Sequence, residues 1–120
     1  MTRSLVVKVT WGLDNPERCN QAFSVAATAV AAGAEVSLWL AGEATWFAQA
    51  GRAATLRLPG ATPLPDLLDV VLQGGQVTVC SQCAERRGIG SHAVLPGIRV
   101  SGAATFTEEI LAEGVQALVY

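Results

Sequence analysis

Two thiols three residues apart are the groups in this chain best suited to chemistry. They lie in Val77-Thr78-Val79-Cys80-Ser81-Gln82-Cys83-Ala84-Glu85-Arg86-Arg87-Gly88. Cys80 follows an apolar run and opens a helical one. A thiol there meets the free N–H groups and positive end of a helix, which favour thiolate and pull the pKa below about 8.5. Arg86 and Arg87 add positive charge one to two turns on. Arg86 is expected to stabilise the anion. Cys83 falls on nearly the same side of the first turn, as a resolving or second thiol.

Four readings of this pair compete. Cys80 is a nucleophilic thiolate that attacks sulfur or accepts a persulfide; Cys80 and Cys83 are a redox pair; they are half of a zinc site; or they are small, buried and inert. Structural zinc wants four ligands, and the chain offers Cys19, Cys80, Cys83 and His92, with neither a second CxxC nor a histidine pair. Cys19 falls on an apolar helical stripe, which suits a small buried hydrophobe. No metal and no other cofactor is expected. A thioredoxin-like pair belongs near an early strand, whereas this motif comes two-thirds of the way along. His92, the single histidine, sits in a Gly/Ser-containing loop that suits solvation better than catalysis.

The elements that must position the thiols read clearly. Residues 5–10 form a β-branched strand, nearly continuous as in a sheet covered on both faces. Asn15 before Pro16 starts a helix, which runs to Ala32 with a stripe of Cys19, Phe23, Ala26, Ala27 and Val30 and stops at Gly33. Residues 35–40 form a second strand and 43–50 a short helix. Residues 52–63 are irregular, and Leu64, Leu67, Leu68, Val71 and Leu72 define a helix ended by Gly74-Gly75. Strands at 77–79, 98–101 and 116–119 alternate with helices over 81–87 and from Thr105 or Thr107 to Ala112. Glu108 and Glu109 are expected in the first turn of the last helix.

This alternation predicts βαβ units and a mostly parallel sheet of about five strands with helices on both faces. Ligands in such folds gather at the carboxyl ends of the strands. Three loops therefore matter: residues 10–15, 41–45 and 80–83. Thr10, Trp11 and Gly12 are expected to line a pocket there. Asp14 and Glu43 suit capping or solvation. Trp39, Trp46 and Phe47 suit the core or a subunit interface. No Gly-rich phosphate loop is present: Gly12 stands alone, and Gly74-Gly75 precedes a strand.

Composition narrows the class. One domain spans the 120 residues; 51% are hydrophobic and 15% charged, too apolar for disorder. The longest apolar stretch, residues 26–34, contains Thr28 and Gly33 and falls far short of the roughly 20 residues of a membrane span. The start, Met-Thr-Arg-Ser followed by a valine-rich strand, lacks a signal-peptide layout. A cytoplasmic protein is expected. Eight Lys and Arg, scattered within a net charge of −2, form no basic stripe, which argues against nucleic acid. The low charge fraction hints at apolar surface covered by partner subunits.

In order and spacing the chain resembles the DsrE/DsrF-like (TusD/YchN-like) family of small sulfur-relay proteins. The likeness rests on the first strand with Thr10-Trp11-Gly12-Leu13-Asp14-Asn15-Pro16, on Ala32-Gly33-Ala34-Glu35-Val36, on Val36-Ser37-Leu38-Trp39-Leu40, on Val79 to Ile89 around Cys80, and on Pro96-Gly97-Ile98-Arg99-Val100-Ser101-Gly102. It implies a three-layer α/β sandwich with a mostly parallel five-stranded sheet, assembled as homotrimers or hexamers. It also implies a sulfurtransferase-like carrier. The family's persulfide-bearing cysteine lies six residues before the first Arg of an Arg-Arg-Gly stretch, which here is Cys80. Sulfur donor and acceptor proteins would be its partners. Cys83 has no counterpart in the TusD-like pattern, although other members carry paired cysteines, so relay and disulfide chemistry both stay open.

Overall fold

Valine- and leucine-rich runs with apolar residues on both faces pair side by side, and their hydrogen bonds run parallel throughout. In the computed structural model, which describes residues 2–120, the strands are β1 (Ser4–Val9), β2 (Glu35–Leu40), β3 (Gln76–Cys80), β4 (Ile98–Ser101) and β5 (Val115–Val119). The helices are α1 (Pro16–Ala31), α2 (Leu64–Gly74), α3 (Ser81–Arg86) and α4 (Ala103–Leu111). The strand order is β4-β3-β2-β1-β5.

That order follows from handedness. From β1 to β4 each new strand is added on the same side. Right-handed crossovers then place α1 and α2 on one face of the sheet. The return from β4 to β5 runs the other way and places α4 on the opposite face. There Phe106 of α4 meets Trp39 of β2 edge-on, with ring centroids 5.3 Å apart.

The main core lies under α1 and α2. Val7, Val9, Leu38, Leu40, Val77 and Val79 face Phe23, Phe47, Leu64 and Val71, all essentially inaccessible to water. Each such side chain contributes about 1.5–3 kcal/mol by leaving water. Ala22, Ala26 and Ala27 let α1 approach the sheet closely. Its start is as expected: the Asn15 side chain accepts from the Arg18 N–H at 3.2 Å, and Pro16 fills the first turn. Gly33 beyond its end takes φ +91.

Two elements differ from expectation. The segment expected as a short helix over 43–50 is a 3-10 helix, Gly42–Ala48. Ala44 and Phe47, three apart, are both buried, and the eclipsed i, i+3 spacing of a 3-10 turn suits that contact. The last helix starts at Ala103, ahead of both threonines. The Ser101 hydroxyl donates to Thr105 Oγ1 at 2.6 Å, so Thr105 lies within the helix and caps nothing. Glu108 and Glu109 therefore fall near the C-terminal end of α4. Glu109 is held there by Arg99, Ser37 and Trp39, which outweigh the unfavourable helix-end position.

Candidate functional site

The carboxyl ends of β1, β2 and β3 are neighbours, so the loops that follow them meet. The Ala41 N–H donates to the Val9 carbonyl at 2.9 Å and the Glu43 N–H to the Thr10 carbonyl at 3.2 Å. Two glycines make this approach possible. Gly42 takes φ +53, and a Cβ there would stand 2.5 Å from the Thr10 carbonyl oxygen. A Cβ on Gly12 would stand 2.7 Å from the Glu43 carbonyl oxygen. The interlocked backbones aim the Gly42 N–H at the Cys83 sulfur, 3.4 Å away.

Cys80 ends β3 and caps α3, its sulfur accepting the Cys83 N–H at 3.4 Å. Both thiols are partly exposed. Their environments differ sharply. Burial and the hydrogen bond given to Cys83 push the Cys80 thiol up, and the backbone N–H groups of Cys83 and Gln82 offset this only in part. Burial also acts on Cys83, but the Cys80 thiol, the Gly42 N–H, the Arg87 charge and the Thr45 hydroxyl outweigh it and hold Cys83 below the ordinary thiol range. The Thr45 hydroxyl is wholly buried near Cys83 and makes no hydrogen bond of its own. The donors that reach Cys83 from across the fold favour the thiolate form there.

The positive charge at the thiols is that of Arg87, in place of Arg86. Arg86 is exposed. Arg87 lies one turn beyond Cys83, donates to the Cys83 carbonyl at 3.1 Å and pairs with Glu43 at 2.7 Å. Glu43 thus anchors this guanidinium. Thr10 and Gly12 act at one remove, through their backbone contacts with the Gly42–Glu43 turn. Trp11 is half-buried, with the Arg18 guanidinium 5.7 Å from its ring. Asp14 caps its own turn by accepting the Gly12 N–H at 2.8 Å. His92 is exposed in a separate turn, Ser91–Ala93. Cys19 lies wholly inside the core, where burial and the nearby Asp14 charge push its pKa up to about 12. The sequence points to the 41–45 loop and to both arginines, but not to Gly42 as the residue that reaches Cys83 or to Glu43 as the partner of Arg87. The signal for Arg87 was present: Cys83 and Arg87 are four apart and share a helix face.

A family model described as the DsrE/DsrF-like family matches residues 4–119. The chain belongs to the DsrE/DsrF-like family. Solved structures agree on the fold. The YchN protein from E. coli superposes with a TM-score of 0.78 at 17% identity over the whole of both chains. A protein of unknown function, MTH1491 from Methanobacterium thermoautotrophicum, gives 0.71 at 14%, again over both whole chains. BT1422 from Bacteroides thetaiotaomicron gives 0.60 at 19%, over 98% of this chain and 94% of that one. No curated protein matches the sequence.

In this DsrE-like domain a groove of about 520 Å³ lies away from the thiols at the amino end of the strands, between Ser4, Glu35, Ser37, Gly75, Gln76 and Glu109. Of its two carboxylates, Glu35 and Glu109, the second is fully engaged. Ser37 and Trp39 donate to Glu109 Oε1 at 2.6 and 3.0 Å, and Arg99 to Oε2. Burial alone would raise the Glu109 pKa, but these donors hold it below the usual carboxylate range. The groove has volume, whereas the dithiol rim has reactive groups. No helix among the described residues is long and apolar enough to cross a membrane.

Proposed function

We propose that this protein is a sulfur carrier that takes sulfane sulfur onto its Cys80–Cys83 pair and passes it to a protein acceptor. One observation carries the reading: two partly exposed cysteine sulfurs on one turn each accept a backbone N–H, with the Arg87 guanidinium one turn on. Such a donor set favours an anionic sulfur nucleophile. Family membership supplies the sulfur-relay context.

In the proposed step the Cys83 thiolate attacks the outer sulfur of a donor persulfide, R–S–SH. A new S–S bond forms to Cys83, the donor's S–S bond breaks, and its electron pair leaves with R–S⁻. The sequence pattern places the persulfide on Cys80, while the donor set favours Cys83 as the first nucleophile. Cys80 then serves as the neighbouring proton-bearing thiol. Sulfur transfer to an acceptor thiolate is the same exchange in reverse. A reducing compartment such as the cytoplasm, where thiols persist, is part of the proposal. Self-association is part of the proposal: α4 has no fully buried residue, and its Leu111 and Val119 of β5 are 76% and 65% exposed.

The experiment is incubation of reduced protein with a persulfide donor, followed by intact mass measurement. The wild type is expected to gain about 32 Da, a gain lost when Cys80 and Cys83 are both serine. Equal uptake by that double variant contradicts the proposal.

A further inference from the structure

We infer that the Cys80–Cys83 pair also discharges its sulfur without an acceptor, expelling it as hydrosulfide while the two cysteines close to an intramolecular disulfide. This rests on the carrier reading and adds a second exit for the same sulfur. The thiols stand on one turn, three residues apart, with the Cys80 sulfur held by the Cys83 N–H at 3.4 Å. The Gly42 N–H, at 3.4 Å, holds the Cys83 sulfur from the other side. A persulfide formed on Cys83 therefore has a second, proton-bearing thiol beside its inner sulfur. A carrier with one cysteine has no such neighbour.

The step balances. Starting from Cys83–S–S⁻ and Cys80–SH, the Cys80 sulfur attacks Cys83 Sγ. The bond between Cys83 Sγ and the outer sulfur breaks, and its electron pair leaves with the outer sulfur. The Cys80 proton goes to that sulfur, which departs as HS⁻. The outer sulfur is reduced by two electrons and the two cysteine thiols are oxidised to a disulfide. A low-molecular-weight thiol or a dithiol protein must return two electrons before the next cycle. The substrate class is thus a sulfane-sulfur donor and the reductant class a thiol. Acceptor availability decides between transfer and release.

The test loads reduced protein with glutathione persulfide, desalts it and follows hydrosulfide and intact mass with no thiol present. Wild type is expected to release about one equivalent of hydrosulfide and to end about 2 Da lighter than the reduced chain. Cys80→Ser and Cys80→Ala are expected to hold the gain of about 32 Da and to release hydrosulfide at least about tenfold more slowly until dithiothreitol is added. If wild type keeps its added sulfur as long as both variants do, release is overturned and the carrier reading stands. Disulfide formation without matching hydrosulfide also overturns it. If neither wild type nor the variants take up sulfur or release hydrosulfide, the carrier reading falls and release falls with it.

Discussion

Two arginine–glutamate pairs stand on this small domain, and they do different work. On the α4 face, Arg99 and Glu109 are joined by Ser37, Trp39 and Thr78, and each carboxylate oxygen has a donor. At the carboxyl rim, Arg87 and Glu43 pair beside two partly exposed thiols, and the buried Thr45 hydroxyl makes no hydrogen bond. The first network is saturated and therefore structural: it ties β2, β3 and β4 to a helix that buries little apolar surface of its own. The second has donor capacity left over and an anion to receive it. A charged pair alone does not mark a site; unspent hydrogen-bonding capacity next to a nucleophile does.

Substitutions sharpen this contrast. The largest effect is expected from Cys83→Ser, which abolishes the fast phase of thiol alkylation near neutral pH yet moves stability by no more than about 0.5 kcal/mol, as for a partly exposed isosteric change. Kinetics of iodoacetamide labelling beside a thermal melt measure both. Glu109→Ala is expected to show the opposite behaviour. It costs about 2 kcal/mol by stranding charge-assisted donors, with labelling unchanged. Because the Glu109 pKa is depressed in the folded state, its contribution is fully present above the unfolded value of about 4.3 and is lost as pH falls through the folded value. Melts from neutral to acid pH should therefore fall less steeply for the variant than for wild type.

Gly42→Ala acts on the rim through the backbone. At φ +53, with a Cβ 2.5 Å from the Thr10 carbonyl oxygen, the turn must shift. The expected cost is about 1–2 kcal/mol, and the thiol labelling midpoint rises as the Gly42 N–H leaves Cys83. Denaturant unfolding and a labelling pH series check the two parts. Thr45→Val gives the smallest effect: stability within about 1 kcal/mol, since a buried hydroxyl without a firm partner is replaced by a methyl group, and a slight rise in the same midpoint. A large loss of stability in Thr45→Val would place Thr45 with the structural network instead.

Most of the fold was legible because the strands are short apolar runs and the helices carry proline, asparagine and glycine at their ends. Asn15, Pro16 and Gly33 mark α1 through local chemistry alone. The start of α4 was less legible because Thr105 resembles a cap, whereas the helix begins two residues earlier, at Ala103. The meeting of the three loops followed from parallel strands ending at one edge. The division of charge between the thiols did not, because the donors that decide it arrive across the fold: Gly42 and Thr45 lie about 40 residues from Cys83. A local reading saw a helix N-terminus at Cys80 and missed a backbone N–H from a neighbouring strand end at Cys83.

Residue-resolved alkylation across pH tests the central claim most directly. Brief iodoacetamide pulses at a series of pH values, with peptide mass measurement, give separate profiles for Cys80 and Cys83. Labelling of Cys83 first, with a midpoint below that of a free cysteine at about 8.5, is the predicted result. Labelling of Cys80 first, or of both together at the free-cysteine midpoint, would contradict a rim built to hold the thiolate on Cys83.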